Sequence, residues 1–360
     1  MKKLEDIFNK KKSSCFIIAE ASANHGGKLD RALKMIRAAK KAGADAVKFQ
    51  IYSPDDLTLD CNNSYFRIKH PQWGGQTFYQ LYQQAQTPYK WFKKLKKAAD
   101  DEGIIFFATV FSFQGVDLLE TIKVPLYKIA SFELIDFPLI EYTAKTKKPL
   151  IISTGMADEF EIKKALKAAR QAENTALLKC VSAYPADPKQ MNLRTIPDME
   201  KKFKVPAGLS DHTLGTAVSV AACALGARII EKHFTLSRKF KTADSFFSLE
   251  PDELKQLVDN IRITEKALGS VHYGLSRDEI KSRKFRRSLF AVENINKGEV
   301  FTAQNVRSLR PGQGLPPADL PEILGKTAAK SIKRGTPLRA SHISSTAFGV
   351  SKKDKGKRKK

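Results

Sequence analysis

The strongest constraint on this chain is an alternation. Eight short apolar runs, Phe16–Ala21, Ala46–Ile51, Ile104–Thr109, Leu126–Ser131, Leu150–Thr154, Ala176–Ser182, Ala207–Asp211 and Arg228–Phe234, follow one another along the sequence. Between them lie segments such as Leu29–Ala42, Tyr89–Asp101, Glu159–Ala172 and Leu214–Ala224, with apolar spacing near that of a helix. Strand and helix in regular turn predict parallel strands joined by right-handed crossovers. Runs apolar at successive positions predict burial on both faces. Eight such units in about 220 residues fit a closed α/β structure, the (β/α)8 or TIM barrel. An open doubly wound sheet is the alternative. Its dinucleotide-binding version is disfavoured, since no Gly-x-Gly-x-x-Gly follows the first run.

The connection between the second and third runs is long, roughly Tyr52 to Pro88, and rich in Asn, Gln, Tyr, Trp and Gly. Connections of that length usually cover a site. After Gly269 the pattern changes. Ser276–Arg287 reads as a charged linker, and Ser288–Arg339 as short strands punctuated by turns at Gly298, Pro311-Gly312, Gly325 and Gly335. The expected organisation is a barrel over 1–275, a linker over 276–287, a small β-rich domain over 288–349 and a basic disordered tail over 350–360. A chain of 360 residues, 42% of them hydrophobic, has material for one large and one small core.

Four cysteines, Cys15, Cys61, Cys180 and Cys223, show no paired spacing, which points to a reducing cytoplasm. The apolar run Cys15–Ala19 is too short for a signal peptide or membrane span. The net charge is +25, and Ser351–Lys360 alone carries seven Lys or Arg against one Asp. Such a field draws anions, polymeric or small. No helix-turn-helix, zinc-finger or RNA-binding signature accompanies it, so neither a nucleic-acid partner nor a membrane is expected. The tail reads as a solvated segment.

In a (β/α)8 barrel, chemistry sits at the C-terminal ends of the strands. Here Glu20 closes the first run, with Asn24 and His25 just after it. Lys48 and Gln50 lie on the second, and Thr109 ends the third. Lys128, Ser131 and Glu133 lie on or just past the fourth. Ser153 and Thr154 end the fifth, Ser182 and Tyr184 the sixth. Ser210, Asp211 and His212 end the seventh, and Glu231 and His233 the eighth. Two lysines inside buried runs need anions, supplied either by a ligand or by structural ion pairs. Ser131, Ser153 and Ser210 are short donors suited to phosphate or carboxylate oxygens. His212 and His233, on neighbouring strand ends, suit a divalent metal that keeps open positions.

These residues stand in six ordered motifs. They are Ile18-Ala19-Glu20 with Asn24-His25-Gly26, Val47-Lys48-Phe49-Gln50, Tyr127-Lys128-Ile129-Ala130-Ser131, Ser153-Thr154-Gly155-Met156, Gly208-Leu209-Ser210-Asp211-His212-Thr213 and Glu231-Lys232-His233-Phe234-Thr235. Together they resemble the sialic acid synthase family, from about Ile17 to His342. The part around Arg310-Pro311-Gly312 resembles that family's antifreeze-like (SAF) sugar-binding domain. Leu81-Tyr82, Ser131-Phe132-Glu133, Ser182–Ala186, Asn192–Pro197 and Phe247–Pro251 are similar to the pseudaminic branch, where neuraminate synthases usually carry Asn at the Ser182 position.

The resemblance implies a transferase. It would condense phosphoenolpyruvate with an amino-sugar aldehyde, 2,4-diacetamido-2,4,6-trideoxy-altrose, to give pseudaminate and phosphate. N-acetylneuraminate or legionaminate synthesis is the alternative, and a non-catalytic sugar-binding protein the reading from another class. It implies phosphoenolpyruvate on Lys48, Lys128, Ser131, Ser153 and Ser210, with Thr109 and Ser182 beside them. His212 and His233 match divalent-metal ligands, usually for Mn2+. Glu20, Gln50, Tyr184 and Asp244 match positions near the sugar, and Glu133 one near the reacting centre. Arg310 would reach the partner's barrel in a domain-swapped homodimer. Three features depart from the family pattern: Thr242-Ala243-Asp244 replaces Gly-Pro-Asp, Val110 replaces a common Pro, and the basic tail is extra.

Overall fold

The apolar runs become strands because a closed sheet gives each of them two buried faces. In the computed structural model, which describes residues 4–8, 14–70 and 72–344, eight parallel strands pair in chain order and β8 returns to β1. They are β1 (Phe16–Glu20), β2 (Ala46–Ile51), β3 (Ile105–Val110), β4 (Tyr127–Ile129), β5 (Leu150–Ser153), β6 (Thr175–Cys180), β7 (Ala207–Asp211) and β8 (Ile229–His233). The expected barrel is therefore the observed one. The tail over 350–360 and the end of the small domain beyond Ser344 lie outside the described residues.

Two cores divide the strands with a period of two, as the pleat requires. Ile17, Ala19, Val47, Phe49, Phe106, Ala108, Tyr127, Ile129, Ile152, Leu177, Leu209 and Ile230 pack with the surrounding helices. Phe16, Ile18, Ala46, Phe107, Leu126, Ile151, Ala176, Leu178 and Ile229 form a separate cluster inside the barrel. Ile7, from the short helix Glu5–Phe8, joins that inner cluster and closes the N-terminal end of the barrel. Following the inner parity towards the C-terminal ends, the residues turn polar: Glu20, Lys48, Gln50, Thr109, Lys128, Ser153, Ser210, Glu231 and His233. The interior thus has an apolar floor and a charged upper layer.

The helices carry local signals. Leu29–Ala42 turns Ala32, Met35, Ile36, Ala39 and Ala42 inward, a five-residue face at helical spacing. The long connection between β2 and β3 is less irregular than its composition implies. It holds the helices Pro54–Leu57 and Phe78–Ala85, each opened by a capping box, Ser53 with Asp56 and Thr77 with Gln80.

The chain divides into two compact units between Gly269 and Ser270. In the second, the charged segment read as a linker winds into a helix over Arg277–Ser282, capped by Ser276 and Glu279. β9 (Ser288–Ala291) pairs antiparallel with β10 (Val306–Leu309). Isolated bridges such as Phe290 to Pro337 and Ile295 to Ile332 complete the β-rich unit. Its core includes Leu289, Phe301, Val306, Ile323 and Leu338. No helix among the described residues is long and apolar enough to cross a membrane.

Gly208 sits on the inner parity of β7, where the floor is crowded. A Cβ there would fall 2.3 Å from the Ile229 carbonyl oxygen and 2.9 Å from Leu178 Cδ2. Gly208→Ala is therefore expected to lower stability by about 1–3 kcal/mol or more through overpacking. Chemical denaturation checks this; an unchanged midpoint would mean that the floor is loosely packed.

Candidate active site

The charged upper layer is buried almost completely. Glu20, Lys48, Lys128 and Glu231 are each under 5% exposed. Lys48 Nζ lies 2.5 Å from Glu20 Oε2 and 3.7 Å from Glu231 Oε2, and Lys128 Nζ lies 3.8 Å from Glu231 Oε1. The sequence left open whether the lysines meet structural carboxylates or a ligand, and the structure supplies two carboxylates for two ammonium groups. Burial holds the Glu20 carboxyl above its ordinary pKa and Lys128 below its own.

The expected donors surround this cluster. Lys48 donates to Thr109 Oγ1 at 2.7 Å, and Lys128 to Ser153 Oγ at 2.6 Å. Ser210 donates to Glu231 Oε1 at 3.2 Å, and Ser131 Oγ accepts from the Gly155 amide at 3.0 Å. Gln50 bridges upward, donating to Glu20 Oε1 and to Ser22 Oγ, both at 3.1 Å. Ser22 then donates to Asp244 Oδ2 at 2.5 Å. Gly155 is obligatory, since a Cβ would stand 2.3 Å from Ser182 Oγ and 2.8 Å from Ser131 Oγ.

The imidazoles of His212 and His233 lie side by side, with ring centres 5.3 Å apart. His212 Nδ1 is 2.9 Å from the Val181 carbonyl oxygen. A carbonyl only accepts, so Nδ1 carries the proton and Nε2 keeps its lone pair. Asp211 faces the other way, accepting from Thr213 and Ser219 and pairing with Lys232 at 2.9 Å, which fixes the turn that presents His212. His233 Nδ1 lies 4.0 Å from Asp244 Oδ2. Tyr184 stacks obliquely over His212 at 4.4 Å, and Phe247 backs His233 at 4.7 Å.

Glu20 Oε2 is taken by the Lys48 ammonium at 2.5 Å, but four other buried side-chain atoms of the described residues lack a hydrogen bond: Glu133 Oε2, Ser182 Oγ, Glu231 Oε2 and His233 Nδ1. All four belong to this barrel mouth. Buried polar atoms are almost always bonded, so a cluster of exceptions marks a place built for a ligand. Above it opens a cavity of about 460 Å³ lined by the polar residues Ser22, Gln50, Glu133, Tyr184, His233 and Asp244 together with apolar and aromatic ones. The two imidazoles, one tautomer already set, fit a divalent cation whose other positions stay open. Among the described residues no three His, Cys, Asp or Glu stand together as a closed metal cage.

Of the barrel residues given a site role from sequence, all lie at this mouth, whereas His25, bonded to Thr87 and packed on Phe49 and Trp91, and Asp211 turn away from it. Arg310 is exposed on the second unit, at a turn pinned by Ser288. That hydroxyl donates to the Pro311 carbonyl and accepts from the amides of Gln313 and Gly314. The sequence reading gave no role to Glu231 or Cys180. Cys180 Sγ lies 3.9 Å from His212 Nδ1. Both occupy the inner parity, so a two-residue step from Ile229 and from Leu178 was the signal that locates them.

Comparison with known proteins agrees with these motifs. A model of the NeuB family matches residues 35–273, and a SAF domain model matches 286–344. The chain belongs to the NeuB family. The pseudaminic acid synthase of Campylobacter jejuni strain 81-176 is 47% identical over 91% of this chain and 96% of its own length. That of Helicobacter pylori is 41% identical over 91% and 97%. The crystal structure of the N-acetylneuraminic acid synthetase of Leptospira borgpetersenii superposes with a TM-score of 0.67 at 34% identity, covering 75% of this chain and 90% of that one.

Burial pushes the Glu133 carboxyl up to about 7, with Lys128 opposing. A carboxyl raised in the folded state binds more protons folded than unfolded between its two pKa values. Its contribution therefore weakens as pH rises from about 4.5 to 8, by at most roughly 3 kcal/mol. Glu133→Gln should thus gain stability relative to the native chain between pH 5 and pH 8. Parallel melting curves at both pH values test this; a constant difference would place Glu133 in a solvated setting.

Proposed function

We propose that this chain condenses phosphoenolpyruvate with 2,4-diacetamido-2,4,6-trideoxy-altrose to give pseudaminic acid and phosphate. The observation that carries the reading is the group of unbonded polar atoms over the Glu20–Lys48–Glu231–Lys128 cluster. The family and the 47%-identical relative set its chemistry.

Lys48 and Lys128, with Ser131, Ser153, Ser182, Ser210 and Thr109 around them, hold the phosphate and carboxylate of the donor. The donor's negative charge draws the ammonium groups from their carboxylates, which is the exchange that a half-satisfied cluster allows. His212 and His233 hold a divalent cation, Mn2+ in our reading, which when bound supplies Lewis-acid polarisation of the sugar aldehyde. Gln50, Tyr184 and Asp244 orient the sugar chain. The donor's C3 then bonds to the aldehyde carbon. A water oxygen adds at C2, and phosphate leaves with the bridging oxygen. One proton of that water ends on the new hydroxyl and the other on phosphate. Glu133 presents an unbonded carboxylate oxygen, and Glu20 one that the donor would free from Lys48, for positioning that water and moving its proton.

The working assembly is a homodimer in which Arg310 of one chain completes the site of the other. Its forked guanidinium suits acetamido and hydroxyl oxygens. Val271 and Tyr273, at 90% and 99% exposed, are apolar surface that a second copy would cover. A reducing cytoplasm fits the unbridged thiols of Cys61 and Cys180.

Two outcomes are expected. With phosphoenolpyruvate, Mn2+ and this sugar, the protein releases phosphate, and excess chelator stops it until metal is restored. No release with any nonulosonic-acid precursor would overturn the function. Lys48→Ala and Lys128→Ala each raise the donor KM by about 10–150-fold, the loss of one charge-assisted contact. Unchanged donor KM and kcat in both variants would remove the lysines from the donor site.

A further inference from the structure

The cavity above the charged layer is two-sided. On the side of β6 and β8 stand Tyr184, His233 and Asp244. Across the mouth, Gln50 and Glu133 share the lining with Tyr52, Phe111 and Phe132, which stand just past the ends of β2, β3 and β4. The long connection adds Phe78 and Tyr82, and all five of these aromatic residues line the same cavity. They form a built wall. Tyr52 meets Tyr82 edge-on at 5.8 Å and Phe111 edge-on at 5.3 Å, and Phe78 stacks on Tyr82 at 6.1 Å. Tyr52 is only 3% exposed, whereas Phe132 stands 58% exposed at the rim.

We propose that this aromatic wall is the device that sorts acceptors by the groups on their distal carbons. The inference rests on the reading that the sugar's carbonyl end lies at His212 and His233. The far end of an extended six-carbon chain then points across the mouth towards β2, β3 and β4. A methyl carbon or the methyl of an acetamido group buries itself against aromatic faces with net gain. A hydroxyl at the same place leaves water for a surface of ring carbons and loses hydrogen bonds. The polar groups orient the chain through its oxygens, whereas the ring faces reward only the apolar groups it carries. The five rings therefore favour deoxy or acetamido sugars over their hydroxylated counterparts, by about 10–200-fold for each group exchanged.

The test compares kcat/KM, read as phosphate release, for the diacetamido trideoxy sugar and for N-acetylmannosamine, which keeps hydroxyls at C4 and C6. The proteins are the intact chain and Phe132→Ala, Phe111→Ala and Tyr82→Ala, each with its melting temperature and donor KM. The exposed Phe132 makes its variant safe for folding. Expected are preference of the intact chain for the trideoxy sugar and a loss of about 10–200-fold on that sugar alone in the variants. The donor KM stays in place. Equal losses on both sugars, or no loss in folded variants, overturn the filter while leaving the proposed reaction standing. Preference of the intact chain for N-acetylmannosamine overturns the filter as well. No phosphate release from the intact chain with either sugar overturns the proposed reaction and the filter with it.

Discussion

Glu20 and Lys48 face each other 2.5 Å apart in the middle of a barrel, with Glu231 and Lys128 beside them. Four charges so deep cost several kcal/mol each to remove from water, and their mutual attraction offsets this only where every lone pair is used. Here the balance is incomplete, because Glu231 Oε2 has no hydrogen-bond donor and stands 3.7 Å from Lys48 Nζ. The sheet's closure makes the arrangement possible. Glu20 aligns with Lys48 on one side and with His233 on the other, which requires β1 to lie between β2 and β8. An open sheet would leave these groups at separate edges.

The register extends the same logic upward. Every strand but β6 spends its inner positions on apolar or small residues first and polar residues last, so the cluster rests on a hydrophobic floor. That floor is what keeps the local dielectric low and shifts Glu20, Lys128 and Glu133 from their ordinary behaviour. Stability and reactivity are therefore stacked in layers along the barrel axis.

Much of this was legible in the sequence. The eight runs and the helical spacing between them gave the barrel, because both are periodic local signals. Lys48, Lys128, His212 and His233 stood out because charge inside an apolar run is conspicuous. Pairings are a different matter. That Lys48 meets Glu20, or that Glu231 joins two lysines, depends on strand neighbours far apart in the chain. Cys180 escaped notice because a cysteine does not interrupt an apolar run, and only the inner parity reveals it. The helices Pro54–Leu57 and Arg277–Ser282 were missed because their apolar content is too low for periodicity to show, although their capping residues were present.

The inner face of the helix Glu5–Phe8 has a kinetic consequence. Ile7 joins the apolar cluster that fills the barrel below the charged layer, so the buried charges have a packed floor on one side and the cavity on the other. On the proposed assignment the donor occupies the deeper layer and the sugar the cavity above it. A vessel with one opening fills from the bottom, which imposes a compulsory sequence: the donor enters first, and an acceptor that arrives early blocks its path. Excess sugar should then slow turnover at low donor concentration, in the manner of a dead-end complex.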